Sequence, residues 1–351
     1  MGKKPYGAPM LDVPVTLNVN ENTHPVPAHV QRAILDEISI TLATINRYPD
    51  REFTGLREDL AAYLTETINN QVAITLEQIW AANGSNEVLQ HVFQAFGGPG
   101  RTALGFAPTY SMHPIIAEST GTAWIGEKRH DNYEVPAAHA VQAVRDHHPN
   151  LVFLCTPNNP TGNAVTLETI AAVYEETDGV VVVDEAYQEF HPTPEHSALT
   201  LLPGRPRLLV SRTMSKAFAF AGARVGYLAA DPAVIDAMRI VRLPYHLSGI
   251  TQAAARAALA HRHTMLQMVD DIRGQRDRLL AELPRLGYPV TDSVANFVLF
   301  SGVTSPKETF DALLAKGVLV RDVGIAHSLR VTAGTEAETT VFLEELAKLS
   351  Q

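Results

Sequence analysis

Leu151-Val152-Phe153-Leu154-Cys155-Thr156-Pro157-Asn158-Asn159-Pro160-Thr161-Gly162 opens on an unbroken apolar run and closes on a polar turn. A short apolar run bounded by turn residues is how a strand buried on both faces of a parallel sheet reads. Two more runs follow the same plan. Val180–Val183 leads into Asp184-Glu185-Ala186-Tyr187, and Leu208–Val210 leads into Ser211-Arg212-Thr213-Met214-Ser215-Lys216. Between the first two runs, about Leu167 to Thr177 has helical spacing. Upstream, Thr75-Leu76-Glu77-Gln78 has the capping-box pattern, followed by a short strand near Ile79–Ala82 and a helix near Glu87–Phe96. Strands alternating with helices predict an α/β chain with a mostly parallel sheet sandwiched by helices.

The last third reads differently. Thr251 to about Leu283 is one long Ala/Leu/Arg-rich helical stretch, and Asn296–Phe300 reads as a strand. Ser305-Pro306-Lys307-Glu308 is a strong helix start, with Ser at the N-cap, Pro at the first helical position and Glu two residues on. Gly317 suits the end of that helix, and Val318–Arg321 and Leu329–Thr332 are two more strands. The expectation is a large domain over residues 28–245 and a smaller α+β domain made of 1–27 and 246–351. No Gly/Ser-rich linker separates them, so the long helix is expected to be shared.

Composition agrees with a folded chain and excludes several classes. With 351 residues, 46% hydrophobic, two domains are the prior and disorder is excluded as the main state. A single cysteine rules out an internal disulfide framework and a Cys-rich zinc site. It also fits a reducing compartment, so a cytoplasmic location is expected. The net charge of −10 argues against nonspecific nucleic-acid binding. Met1–Met10 has no apolar core of a secretory signal, and no run reaches the roughly 18 apolar residues of a membrane helix. No membrane or nucleic-acid partner is therefore expected. A nicotinamide dinucleotide site is disfavoured too, because no G-x-G-x-x-G follows a first strand and Gly97-Gly98-Pro99-Gly100 reads as a turn.

In an open α/β sheet, ligands bind beyond the carboxyl ends of the strands. The three runs end in an amide, a carboxylate, a phenol, hydroxyls and a lysine, all aimed at one rim. That set fits pyridoxal phosphate. A lysine amine forms a Schiff base with its aldehyde, and a carboxylate such as Asp184 against the ring nitrogen lets the ring accept electrons. Asn159 and Tyr187 suit the ring hydroxyl. Thr213, Ser215 and Arg224 suit the phosphate, with the helix N-terminus opened by Gly84-Ser85-Asn86. Tyr110 is placed to stack on the ring.

The ordered set of motifs resembles the fold-type I pyridoxal-phosphate aminotransferases over nearly the whole chain. Within them it resembles the branch that acts on histidinol phosphate. The resemblance runs through Leu17-Asn18-Val19-Asn20-Glu21-Asn22, Asn46-Arg47-Tyr48-Pro49-Asp50, Asn158–Gly162, Asp184–Tyr187, Ser215-Lys216-Ala217-Phe218 and Ala221–Gly226. It continues through Arg242-Leu243-Pro244-Tyr245-His246-Leu247-Ser248, Arg321-Asp322-Val323-Gly324 and Leu329–Thr332. It implies that Lys216 holds the cofactor and then moves protons, that Asp184 pairs with the ring nitrogen, and that Tyr187 and Asn159 bind the ring hydroxyl. Arg224, Thr213, Ser215, Ser85 and Asn86 hold the phosphate, and Tyr110 covers the ring. Tyr48 reaches the phosphate in the neighbouring subunit of a homodimer. Arg330 holds a substrate carboxylate, and Arg321 and Tyr6 help bind the substrate phosphate. The implied reaction moves an amino group between histidinol phosphate and 2-oxoglutarate, yielding glutamate. Aromatic amino-acid transamination, decarboxylation and a non-catalytic cofactor-binding regulator are the alternatives on the same scaffold.

Other residues have plain structural readings. Asn158 is a turn former before Pro160. Cys155 is an inert core thiol, and Trp80 and Trp124 are packing residues. The histidines, among them His261, His263, His147 and His148, have no zinc-ligand spacing and read as surface residues. No metal is expected.

Overall fold

The computed structural model describes residues 7–193 and 195–349. The three apolar runs form neighbouring parallel strands at the centre of a seven-stranded sheet: β5 (Leu151–Cys155), β6 (Val180–Asp184) and β7 (Leu208–Thr213). Two more parallel strands, β3 (Thr102–Ala107) and β4 (Ala123–Lys128), extend it on one side, with β4 at the edge. On the other side lie β8 (Gly226–Ala229) and β2 (Ile79–Ala82), and β8 runs antiparallel to both its neighbours. The order is β2-β8-β7-β6-β5-β3-β4. The sheet lies within a continuous buried core, and Trp80 is part of it.

Helices cover the sheet. They are α2 (Thr54–Thr67), α3 (Ser85–Phe96), α4 (Met112–Ser119), α5 (Ala137–His147), α6 (Leu167–Glu176) and α7 (Pro232–Val241). The capping box at Thr75 forms, but it opens a single 3-10 turn rather than a longer helix. An outer helix, α1 (Ala28–Leu42), buries only Val30 and packs against α8 (Gly249–Ala260).

The expected long helix is two helices. α8 ends at Ala260 and α9 (Arg262–Arg285) begins after His261, whose φ of −105° and ψ of 22° leave the helical region. Nothing in local propensity stops a helix there. The break is tertiary: α8 packs on α1 and α2, whereas α9 packs on β9 (Phe297–Ser301) and on α11 (Glu336–Leu349). One straight rod cannot satisfy both surfaces.

β9 pairs antiparallel with β11 (Ser328–Thr332), and α10 (Pro306–Ala315) begins as expected, with the Ser305 hydroxyl accepting from the Glu308 N–H. Gly317 follows α10 at φ +79°. The N-terminal β1 (Val15–Thr16) pairs in parallel with β10 (Val318–Leu319), so the start of the chain is laid against its last third.

Candidate active site

Three of the sheet's strands end at one cavity of about 410 Å³. Asp184 is the last residue of β6 and Thr213 the last of β7, while Asn159 lies in the turn after β5. The connection from β7 to β8 explains how residues eight apart come together. Thr213 is opposite Gly226, and the Met214 N–H donates to the Val225 carbonyl at 3.0 Å. The loop between them therefore folds back over its own base and brings Lys216 and Arg224 to the same cavity. Arg224 takes a φ of +55° in doing so.

Of the residues singled out in the sequence, Ser85, Asn86, Tyr110, Asn159, Asp184, Tyr187, Thr213, Ser215, Lys216, Arg224, Arg321 and Arg330 all line this cavity. Tyr48 does not. It is 79% exposed and stacks on Tyr245, with ring centroids 4.3 Å apart. Tyr6 lies outside the described residues.

The neighbouring residues of Asp184-Glu185 separate, as alternation along an extended chain requires. Glu185 faces the core, where Arg212 donates to it from Nε at 3.0 Å and pairs with it electrostatically through Nη2, also at 3.0 Å. Asp184 faces the cavity. Its Oδ2 meets His113 Nε2 at 2.9 Å, and its Oδ1 is buried with no hydrogen-bond partner among the described residues. His113, on α4, is fully buried. His91 and His191 are buried too, and His91 accepts from Trp80 Nε1, so the surface reading fails for these three. His113 went unread because its partner is 71 positions away and its setting is tertiary.

Lys216 Nζ donates to the Val19 carbonyl at 2.9 Å and sits 5.9 Å from the centre of the Tyr187 ring. Burial lowers its pKa to about 8, Arg330 and Arg224 push the same way, and Glu21 opposes them. The Tyr187 hydroxyl accepts from Asn20 Nδ2 at 3.0 Å and from Asn159 Nδ2 at 3.5 Å, and burial raises its pKa. Arg330 donates from Nη1 to Asn159 Oδ1 at 2.5 Å and from Nη2 to the Asn18 carbonyl at 2.7 Å, with its guanidinium carbon 5.1 Å from the Phe297 ring centre. Arg321 pairs with Arg330 through their backbones. Tyr110 donates to Asn86 Oδ1 at 3.2 Å.

The start of α3 lines the same cavity as Lys216 and could cradle an anion. A helix's first N–H groups lack intrahelical acceptors. Gly84 precedes them at φ +87°, and a Cβ there would lie 2.3 Å from Arg224 Nη2. A Cβ on Gly226 would lie 2.1 Å from the Ser85 nitrogen. Both glycines keep the backbone, Arg224 and the hydroxyls of Thr213 and Ser215 close together. Those two hydroxyls lie 2.9 Å apart. Asn158 is buried below the rim, donating to the Pro108 carbonyl and to Thr161 Oγ1, which is the turn role expected of it. Cys155 is buried with its thiol pKa pushed up to about 12, mainly by burial.

The family described as aminotransferase class I and II matches residues 13–346. The chain belongs to this family. The histidinol-phosphate aminotransferase of Paenarthrobacter aurescens (strain TC1) is 57% identical over 99% of this chain and 93% of that protein. The one from Frankia casuarinae is 52% identical over 99% and 88%. Among solved structures, histidinol-phosphate aminotransferase from Sinorhizobium meliloti, in complex with pyridoxal-5'-phosphate, has the same fold. Its TM-score is 0.84 at 22% identity, covering 96% of this chain and 91% of that one. The aminotransferase thus has the fold-type I architecture that its sequence motifs imply. No helix among its described residues is long and apolar enough to cross a membrane.

Proposed function

We propose that this aminotransferase moves an amino group between L-histidinol phosphate and 2-oxoglutarate, giving imidazole acetol phosphate and L-glutamate, with pyridoxal 5'-phosphate as its cofactor. One observation carries the reading. A buried carboxylate oxygen of Asp184 has no hydrogen-bond partner among the described residues and shares a cavity with a partly buried lysine and three arginines. A group that offers a protonated ring nitrogen, an aldehyde and a phosphate satisfies all of these at once. The named activity of the two relatives above, matched over nearly the whole chain, supports the substrate pair.

When bound, pyridoxal phosphate supplies an aldehyde that an amine can capture and a ring that takes up the electron pair left when a carbon loses a proton. Asp184 holds negative charge toward the ring nitrogen, and His113 fixes its orientation from the far side. Tyr187 and Asn159 serve the ring hydroxyl, and Tyr110 covers the ring face. Ser85, Asn86, Thr213, Ser215 and Arg224 hold the phosphate with the α3 N-terminus. Lys216 Nζ is the covalent anchor. With the cofactor bound, the same amine would move the proton at the substrate carbon. Its lowered pKa keeps a share of it neutral near neutral pH, which both tasks need. Arg330 and Arg321 form one anion site for two substrates, taking a phosphate in one half-reaction and a carboxylate in the other.

The proposal includes a homodimer in which Tyr48 completes the neighbour's phosphate site, a cytoplasmic location, and a division into 28–245 and 1–27 with 246–351. The experiment is a single turnover of the cofactor-loaded protein with histidinol phosphate, phenylalanine or glutamate, followed by absorbance. Fast conversion with histidinol phosphate and glutamate is expected. Preference for phenylalanine overturns the substrate assignment and leaves the lysine chemistry standing. Loading without conversion by any of the three overturns transamination of these substrates.

A further inference from the structure

Asn20 is 1% exposed and adopts a φ of +56°, a left-handed conformation that Asn tolerates better than most residues. Three of its polar groups are tied to the C-terminal third. Its N–H donates to Thr332 Oγ1 at 3.0 Å, its Oδ1 accepts from the same hydroxyl at 3.2 Å, and its carbonyl accepts from Asn296 Nδ2 at 3.1 Å. Its remaining group crosses to the central sheet, where Nδ2 donates to the Tyr187 oxygen.

A phenol oxygen carries one hydrogen and two lone pairs. At Tyr187, amide donors from Asn20 and Asn159 address the lone pairs. The hydrogen is left to point into the cavity that Tyr187 lines. Thr332 lies two residues beyond Arg330 on β11, on the same face of the strand. Whatever shifts Arg330 along with β11 therefore shifts the group that holds Asn20.

We propose that Asn20 is a positioning residue that commits the Tyr187 hydrogen to the cofactor's ring oxygen and couples that commitment to the anion-binding strand. The inference rests on the cofactor reading above. It implies that Asn20, which itself lines the cavity, tunes the ionisation of the bound chromophore through Tyr187.

The test is a pH titration of the absorbance of the holo-protein. Donation by Tyr187 stabilises the ionised ring oxygen and holds the chromophore's pKa down. Asn20→Asp keeps the shape and tolerates the backbone, but offers an acceptor where a donor stood, so the Tyr187 hydrogen turns away from the ring. The chromophore's pKa should rise by about one pH unit, a tenfold change in the ionisation equilibrium. Thr332→Val, which adds no charge, should move it the same way by less, and it carries the test if Asn20→Asp does not fold. In a Tyr187→Phe background the effect of Asn20→Asp should vanish. An equal shift in both backgrounds means that the carboxylate acts only through its charge, and overturns the proposal. So does an unchanged pKa in both variants. A wild-type protein with no lysine-dependent chromophore overturns the cofactor reading and this proposal together, whereas a normal wild-type titration with unchanged variants overturns this proposal alone.

Discussion

Lys216 is held between opposite demands. In the proposed reaction it must be neutral to attack, and it lies near arginines proposed to bind anions. Burial and those cations bring its pKa to about 8. Only the neutral amine attacks an aldehyde, so capture of pyridoxal phosphate by the apo-protein should rise with pH about tenfold per unit below 8 and level off above it. Stopped-flow absorbance checks this. A plateau displaced toward the ordinary lysine range would contradict the assigned environment, and Lys216→Ala should remove the signal altogether. At this scale the sequence was highly legible where residues follow strand ends. Asp184 stands directly after its apolar run, Thr213 and Lys216 follow theirs three and six positions on, and strand ends are where an α/β sheet places its chemistry. His113 and Asn20 were not legible as site residues. Each acts through a partner far away in the chain, on Asp184 and Tyr187 respectively, and no local spacing encodes such a pair.

Among the elements, the β7–β8 hairpin and the start of α3 depend on each other through Gly226. Gly226→Ala would drive a Cβ into the Ser85 backbone. Overpacking against backbone costs on the order of 1–3 kcal/mol, and the shift falls on the anion cradle. The expected result is a lower denaturation midpoint together with a loss of about tenfold or more in affinity for pyridoxal phosphate, measured by equilibrium dialysis. Affinity at the wild-type level would show that the cradle does not depend on this approach. The elements that the sequence hid have physical reasons for it. β3 contains Gly105 because a Cβ there would lie 2.4 Å from the Trp124 ring on β4, and glycine weakens a strand signal. β4 is an edge strand with exposed positions, and β8 is only four residues long. The break at His261 is set by what the two helices pack against, so an unbroken helical pattern gave no warning of it.

At the scale of the molecule, several exposed apolar side chains lie on segments that touch one another, where the proposed dimer would cover them. Leu35 and Ile40 on α1, Ile45 and Tyr48 after it, and Ile240 and Leu243 around the end of α7 are all exposed. The segments are joined by the Tyr48–Tyr245 stack and by Arg239 and Arg242 on Glu52. A monomer rarely leaves such residues bare. On the proposed dimer, Lys216→Ala and Tyr48→Ala damage different halves of each site. Mixing the two weak variants and letting subunits exchange should restore about a quarter of the wild-type activity. Half of the dimers are then hybrids, and each hybrid has one intact site of its two. No recovery after proven exchange would remove Tyr48 from the neighbouring site.

The parallel pairing of β1 with β10 also bears on how the protein is made. Strand β1 has its hydrogen-bonding partner about 300 residues further along the chain. At about 5–20 residues per second the N-terminal segment waits roughly 15–60 s on the ribosome with its edge unpaired. Asn18 likewise cannot settle against Arg330 before β11 has been made. The central sheet can assemble while translation continues, but the site closes only after the last third has emerged. Nascent chains stalled before β10 should therefore remain open to proteases at their N-terminus even when the sheet behind it is already resistant.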